Sequence, residues 1–271
     1  MLSNRLDESF VRARREGRGV LIPYLTAGYP RVESFVDLAV AILEAGADAL
    51  EIGIPFSDPL LDGPSIQRSQ QQALDQGVTP GDCLQFAAEL RNRSDKPLLF
   101  MGAYNPLLAH GLGAFCGAAS SSGITALIVP DLPVEEQIEL RNVCGAHGLH
   151  VIQLVAPTST DDRLSRVCSL ASGFVYCISI TGVTGARSSV TATARPLVER
   201  VRACTTIPVA VGFGIAEPDQ ARAVAEFADG VIVGSALINT IANASPDDCI
   251  DAVQTFIGGL RRGLEHLPVG R

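Results

Sequence analysis

Two carboxylates in one short stretch are the residues best placed to do chemistry. Glu51 lies inside the apolar run ALEIGIPF, where an ionised carboxylate is costly unless it is paired or used. Asp62 follows eleven residues later in the glycine- and proline-rich segment PFSDPLLDGP. An acid within a strand and an acid on the loop above it can reach opposite sides of a bound ligand, which suits proton transfer. The same two residues also fit a plainer role, with Glu51 a buried ion-paired side chain and Asp62 a loop or helix cap.

Glycines supply a second signal. GVTGAR (182–187), GFGI (212–215) and the pair Gly234-Ser235 each follow an apolar run, and Ser235 opens the helical stretch SALINTIA. Glycine permits close backbone approach, and the N–H groups at a helix start favour an anion such as phosphate. Tyr24, Phe56, Tyr104, Tyr176 and Phe213 fall at or near the ends of apolar runs and could line a slot for a planar ring.

What is scarce narrows the chemistry further. Lys96 is the single lysine beside twenty arginines, and only His110, His147, His150 and His266 carry imidazole. The seven cysteines (Cys83, Cys116, Cys144, Cys168, Cys177, Cys204, Cys249) form no CxxC pair and no zinc spacing. Free thiols acting as small core hydrophobes are expected of them, in a reducing compartment.

The elements that must position these residues repeat along the chain. Eight short apolar runs begin at Gly19, Ala47, Pro97, Ala126, His150, Phe174, Pro208 and Gly230, separated by Gly/Pro/Asp loops and helical stretches. Near-continuous apolar character marks parallel strands covered on both faces. The predicted helices include 32–45, 134–147 and 218–228, with N-terminal chemistry at Thr160 and at Glu217-Pro218. The 271 residues, 47% hydrophobic and 18% charged, read as one α/β domain spanning 1–271, a (β/α)8 TIM barrel. A leading helix (4–16) and a short extra helix after strand eight (236–242) are added to it. An open doubly wound sheet is disfavoured because no GxGxxG turn follows the first strand.

Barrel sites form at the C-terminal strand ends, so Lys96, ahead of strand three, and His150, opening strand five, belong to the opposite face. Neither a Schiff base nor a multi-histidine metal site is expected, and no metal ligands are assigned. A net charge of -8 with scattered basic residues argues against nucleic acid or an anionic membrane as partner. With no apolar run of about 18 residues and no signal-peptide core, the chain is expected to be soluble and cytoplasmic. Residue chemistry alone thus reaches a phosphorylated small molecule with an apolar part, processed by acid–base chemistry.

PYLTAGYP (23–30), ALEIGIPFSDPLLDGPSIQ (49–67), VPDLPVEE (129–136), ITGVTGAR (180–187), VGFGI (211–215) and IVGSALI (232–238) resemble the tryptophan synthase alpha chain family, in order over nearly the whole chain. The resemblance implies retro-aldol cleavage of indole-3-glycerol phosphate to indole and glyceraldehyde 3-phosphate, in tryptophan biosynthesis. It makes Glu51 the acid/base at the indole ring carbon and the glycerol hydroxyl, and Asp62 the carboxylate facing the indole N–H. It makes Gly185, Phe213, Gly214, Gly234 and Ser235 the phosphate cradle, places Tyr24 and Tyr176 beside the substrate, and puts Thr184 on a loop closing over Asp62. For Glu51 to donate its proton near neutral pH, its apolar strand must raise its pKa.

The same resemblance implies a beta-chain partner in an α2β2 tetramer, which receives the indole, with Asp58 and Asn105 as contact-face candidates. Pyridoxal phosphate belongs to that partner, and no cofactor is expected here. Two positions depart from the family pattern: Ala103 precedes Tyr104-Asn105 where paired tyrosines are usual, and Leu61 stands where a small residue is frequent. A stand-alone lyase would use the same residues. A non-catalytic phosphate-binding subunit would not require an acid in an apolar strand.

Overall fold

In the computed structural model, residues 4–178, 187–212 and 214–265 are described. Thr184, Gly185, Phe213 and His266 lie outside them. The eight apolar runs form β1 (Val20–Thr26), β2 (Leu50–Gly53), β3 (Leu98–Met101), β4 (Ile124–Ile128), β5 (His150–Val155), β6 (Val175–Ile178), β7 (Val209–Gly212) and β8 (Gly230–Val233). Each pairs in parallel with the next, and β8 pairs with β1, which closes the barrel. Closure leaves no free sheet edge.

Twelve helices are described. Five carry the standard return from one strand to the next: α2 (Val32–Glu44), α7 (Ile138–Ala146), α8 (Asp161–Leu170), α9 (Arg187–Arg202) and α10 (Pro218–Ala225). Beyond the leading helix α1 (Arg5–Arg15) and the extra helix α11 (Ser235–Asn243) ahead of α12 (Cys249–Gly263), two crossovers are doubled. Between β2 and β3 run α3 (Pro64–Asp75) and α4 (Pro80–Arg93), and between β3 and β4 run α5 (Tyr104–His110) and α6 (Leu112–Ser121). The helix expected from 134 begins only at Ile138. Pro133 opens a hydrogen-bonded turn with Glu136, and the buried Gln137 side chain donates back to the Leu132 carbonyl. The helix expected over 218–228 ends at Ala225.

The barrel interior is packed by one side-chain set from alternate strand positions, including Val20, Ile22, Leu99, Ile128, Phe174 and Ile232. Helix α1 plugs the N-terminal mouth. Its Leu6, Phe10 and Ala13 join that set, the Phe10 and Phe174 rings lie 5.6 Å apart, and Asp7 meets His150 at 3.1 Å. Asn4 starts this helix with a capping box and ties it to the sheet through the Thr125 carbonyl. Lys96 also sits at this end, its Nζ donating to the carbonyls of Leu43 and Ala47. Helix α1 thus closes this end of the barrel interior, and an apolar cavity opens at the other end of the strands. Six of the seven cysteines are buried as expected, whereas Cys204 is exposed because it follows α9 on the surface.

Two glycines make room for two tyrosines. Tyr24 is in register with Glu51, two residues before Gly53 on β2, and a Cβ on Gly53 would collide with the Tyr24 hydroxyl. A Cβ on Gly212 of β7 would meet the Tyr176 ring at 2.6 Å. Gly53→Ala is expected to displace Tyr24 and to cost about 1–3 kcal/mol of stability, measured by urea unfolding. Combined with Tyr24→Ala, the two losses should fall well short of additive.

Candidate active site

The apolar strand β2 carries two acids at opposite ends of the barrel, and their surroundings differ completely. Asp48, just before the strand, receives both Arg18 terminal nitrogens at 2.8 Å, the Leu21 N–H at 3.0 Å and Arg261 at 3.2 Å. This is a satisfied ion pair holding the closed end together. Glu51, three residues on, is 1% exposed, and its Oε2 has no hydrogen-bond partner among the described residues. No ion pair to it is formed among the described residues, in contrast to the plainer reading of a buried ion-paired side chain. Burial, and then the nearby Asp62 charge, push its pKa from 4.5 up to about 8.

Asp62 reaches the same region from the loop between β2 and α3, half-buried. Gly63 is the N-cap residue of α3 and that helix start has no side-chain cap, so the Asp62 carboxylate caps no helix. Its Oδ2 instead accepts a 2.6 Å hydrogen bond from Gln70 Nε2. Burial raises the Asp62 pKa and the Gln70 bond opposes that rise. Sequence reading passed over Gln70. The available signal was its place on the inward stripe of α3, where Ser69, Gln70 and Ala73 are buried.

The loop is tied to α3 and α3 to the barrel. Gln67 Nε2 donates to the carbonyls of Pro59 (3.2 Å) and Asp62 (2.9 Å). The Ser69 hydroxyl lies 2.6 Å from that of Thr26 on β1, which is in turn 3.2 Å from the Tyr24 hydroxyl. Above these groups opens a cavity of about 520 Å³, lined mainly by apolar atoms of Tyr24, Ile54, Phe56, Leu61, Met101 and Pro130, with Asp62 and Gln70 among its polar walls. That volume and lining suit a small aromatic ligand.

The phosphate candidates fall beside it. Gly234 precedes α11 with no side-chain cap, leaving the first-turn N–H groups of that helix open to an anion. Tyr24 Cβ lies 3.6 Å, and Ser235 Oγ 3.9 Å, from where Cβ atoms would stand on Gly234 and Gly63 respectively, so the helix start abuts both the ring pocket and the Asp62 loop. Gly214 is exposed with φ +58, a conformation that suits glycine, and no atom lies within 4 Å of a Cβ there. Tyr176, half-buried on β6, feels the charges of both Glu51 and Asp62. Tyr104 is not brought into the cavity. It opens α5, where its backbone N–H is held by the Asp131 carboxylate at 3.0 and 3.1 Å. Asp58 and Asn105 are both exposed on the cavity rim side, Asp58 on the β2 loop and Asn105 on α5. No group of three or more metal-ligating side chains occurs among the described residues.

A closed eight-stranded parallel barrel whose cavity opens at the C-terminal strand ends is the architecture of the (β/α)8-barrel enzymes. Within that class, the sequence model of the tryptophan synthase alpha chain matches residues 10–264. The alpha chain of Chloroflexus aggregans is 46% identical over 265 residues, 97% of this chain and 99% of that one. A chain of Mycobacterium tuberculosis tryptophan synthase superposes with a TM-score of 0.91 at 38% identity, covering 97% of this chain and 99% of the other. Subunit alpha from Legionella pneumophila gives 0.89 at 36% identity, covering 96% and 98%. The chain belongs to the tryptophan synthase alpha chain family and is a lyase. No described helix is long and apolar enough to cross a membrane.

The raised pKa of Glu51 has a consequence for stability. Below about pH 4.5 the carboxyl is protonated in both folded and unfolded chains; between there and about pH 8 only the unfolded chain releases the proton. Wild-type stability should therefore fall relative to Glu51→Gln by about 1.4 kcal/mol per pH unit across that window and level off above it. Urea unfolding of the two proteins from pH 5 to pH 9 measures the slope.

Proposed function

We propose that this chain cleaves indole-3-glycerol phosphate to indole and glyceraldehyde 3-phosphate, with Glu51 as acid and base and Asp62 as the stabilising carboxylate. The observation that carries the reading is the buried Glu51 carboxyl, its Oε2 without a partner among the described residues, beside Asp62 and near an apolar cavity and an open helix start, in a chain of this family. A carboxyl held protonated near neutral pH is a competent acid.

The protonated Glu51 gives its proton to the indole ring carbon that bears the glycerol arm, and positive charge spreads to the ring nitrogen. The ionised Asp62 faces that nitrogen and lowers the energy of the cation. The newly formed Glu51 carboxylate then takes the proton from the hydroxyl on the carbon next to the ring. The oxygen electrons become the aldehyde C=O, the carbon–carbon bond breaks, and its electron pair restores the aromatic indole. Proton and electrons balance, and Glu51 returns to its starting state. The ring itself is the electron sink, so no lysine is needed at the top face.

Tyr24 and Tyr176 bound the ring pocket, and the phosphate sits at the N-terminus of α11 with Gly234 and Ser235, completed by Gly185, Phe213 and Gly214. Thr184 is assigned to the closing loop. Indole leaves toward a pyridoxal-phosphate beta chain in an α2β2 assembly, and this chain binds no cofactor of its own. Exposed apolar side chains, Leu60 (90% exposed) and Leu61 on the cavity wall and Leu108 on α5, support a docking face that includes Asp58 and Asn105. Free cysteines are consistent with a cytoplasmic location.

Release of glyceraldehyde 3-phosphate by the purified chain, with and without a beta chain, tests this reading. Cleavage should rise strongly with the partner. Glu51→Gln should lower it by about 10²–10⁴-fold, and Asp62→Asn should also impair it. Absence of cleavage by folded protein under both conditions would refute the function.

A further inference from the structure

Asp62 is held by one side chain that nothing in the reaction chemistry names. Gln70 is 4% exposed and is bonded at both ends of its amide. Its Oε1 accepts the Phe56 backbone N–H at 3.0 Å, and its Nε2 donates to Asp62 Oδ2 at 2.6 Å. The two bonds lock its orientation without ambiguity. A backbone N–H only donates, so the carbonyl oxygen of Gln70 must face Phe56 and the NH2 must face Asp62. In this orientation Gln70 offers Asp62 a donor, and an N–H donor binds an ionised carboxylate more strongly than a neutral carboxyl. The amide therefore prefers the ionised carboxylate.

That preference matters because the surroundings push the other way. Glu51 on β2, Tyr24 on β1 and Tyr176 on β6 face Asp62, and Asp58 and Asp131 line the same cavity. No lysine, arginine or histidine lines it among the described residues. Two carboxyls sharing such a site compete for one proton. Of the two carboxyls, Asp62 receives the hydrogen bond from Gln70, while Glu51 has an oxygen with no donor among the described residues.

Resting on the reaction given above, we propose that Gln70 is a positioning residue: it braces the Asp62 carboxylate against the Phe56 backbone and assigns the negative charge to Asp62 and the proton to Glu51. It does so from α3, one of the two helices inserted between β2 and β3.

The test compares wild type, Gln70→Met and Gln70→Asn in the cleavage of indole-3-glycerol phosphate from pH 5.5 to 9, with thermal unfolding to confirm the fold. Met keeps the length and removes both hydrogen bonds; Asn keeps an amide too short to span both partners, and stands in should Met fail to fold. Loss of a hydrogen bond to a charged group should lower kcat/KM by about ten- to a hundredfold, chiefly in kcat. The acid limb of the pH profile should move to higher pH, since Asp62 then protonates more readily. An unchanged rate, or a loss with the pH profile unmoved, would overturn the proposal. Carbon-13 NMR titration of Asp62 in the same proteins decides the matter separately from activity. A midpoint that rises in the variants supports the brace, and one that stays in place overturns it. Should wild type itself fail to cleave, the assigned reaction falls while the titration still judges Gln70.

Discussion

Glu51 has a carboxyl oxygen buried without a donor, in the interior of an apolar barrel. A charge in that place is opposed by desolvation, and among the described residues no cation offsets it. The group therefore keeps its proton to higher pH than an ordinary glutamate, with its pKa pushed up to about 8. The rest of the upper barrel depends on this constraint. The cavity must stay apolar enough to keep Glu51 neutral, and the negative charge the reaction needs must sit on a different carboxyl, out on the loop.

The fold meets both requirements by dividing its two ends. The lower end carries the paired charges, with Asp48 locked between Arg18 and Arg261, and is closed by α1. The upper end carries few donors, and those it has are aimed. Gln67 and Gln70 from α3 hold the loop carbonyls, the Phe56 N–H and the Asp62 carboxylate, while Ser69 fixes α3 to β1 through Thr26. Gly53 and Gly212 leave the volume that Tyr24 and Tyr176 fill, so the ring pocket is shaped by missing side chains as much as by present ones.

Much of this was legible in the residues. Eight near-continuous apolar runs announced eight buried parallel strands, and all eight formed, with α1 and α11 where the pattern put them. The doubled crossovers after β2 and β3 were less visible, since nothing in an amphipathic stretch says how many helices it is broken into. Asp48 and Glu51 stand three residues apart in one apolar run and look alike as sequence. They part only because Arg18 and Arg261, 30 and 213 residues away from Asp48, fold against the first and leave the second alone. Gln70 was missed for a related reason. A glutamine in a glutamine-rich helix reads as surface until the loop it braces is seen to lie over it. Tyr104, by contrast, stood close to the cavity in sequence, yet Asp131 draws its backbone into the start of α5.

The protonation state of Glu51 is the point on which the chemistry turns. Infrared difference spectroscopy of wild type against Glu51→Gln, taken from pH 5 to pH 9, observes it directly. A protonated carboxyl band that is missing in the variant, persists through neutral pH and fades only near pH 8 is expected. A Glu51 already ionised at pH 6, with an ordinary glutamate midpoint, would contradict the assignment of this side chain as the acid.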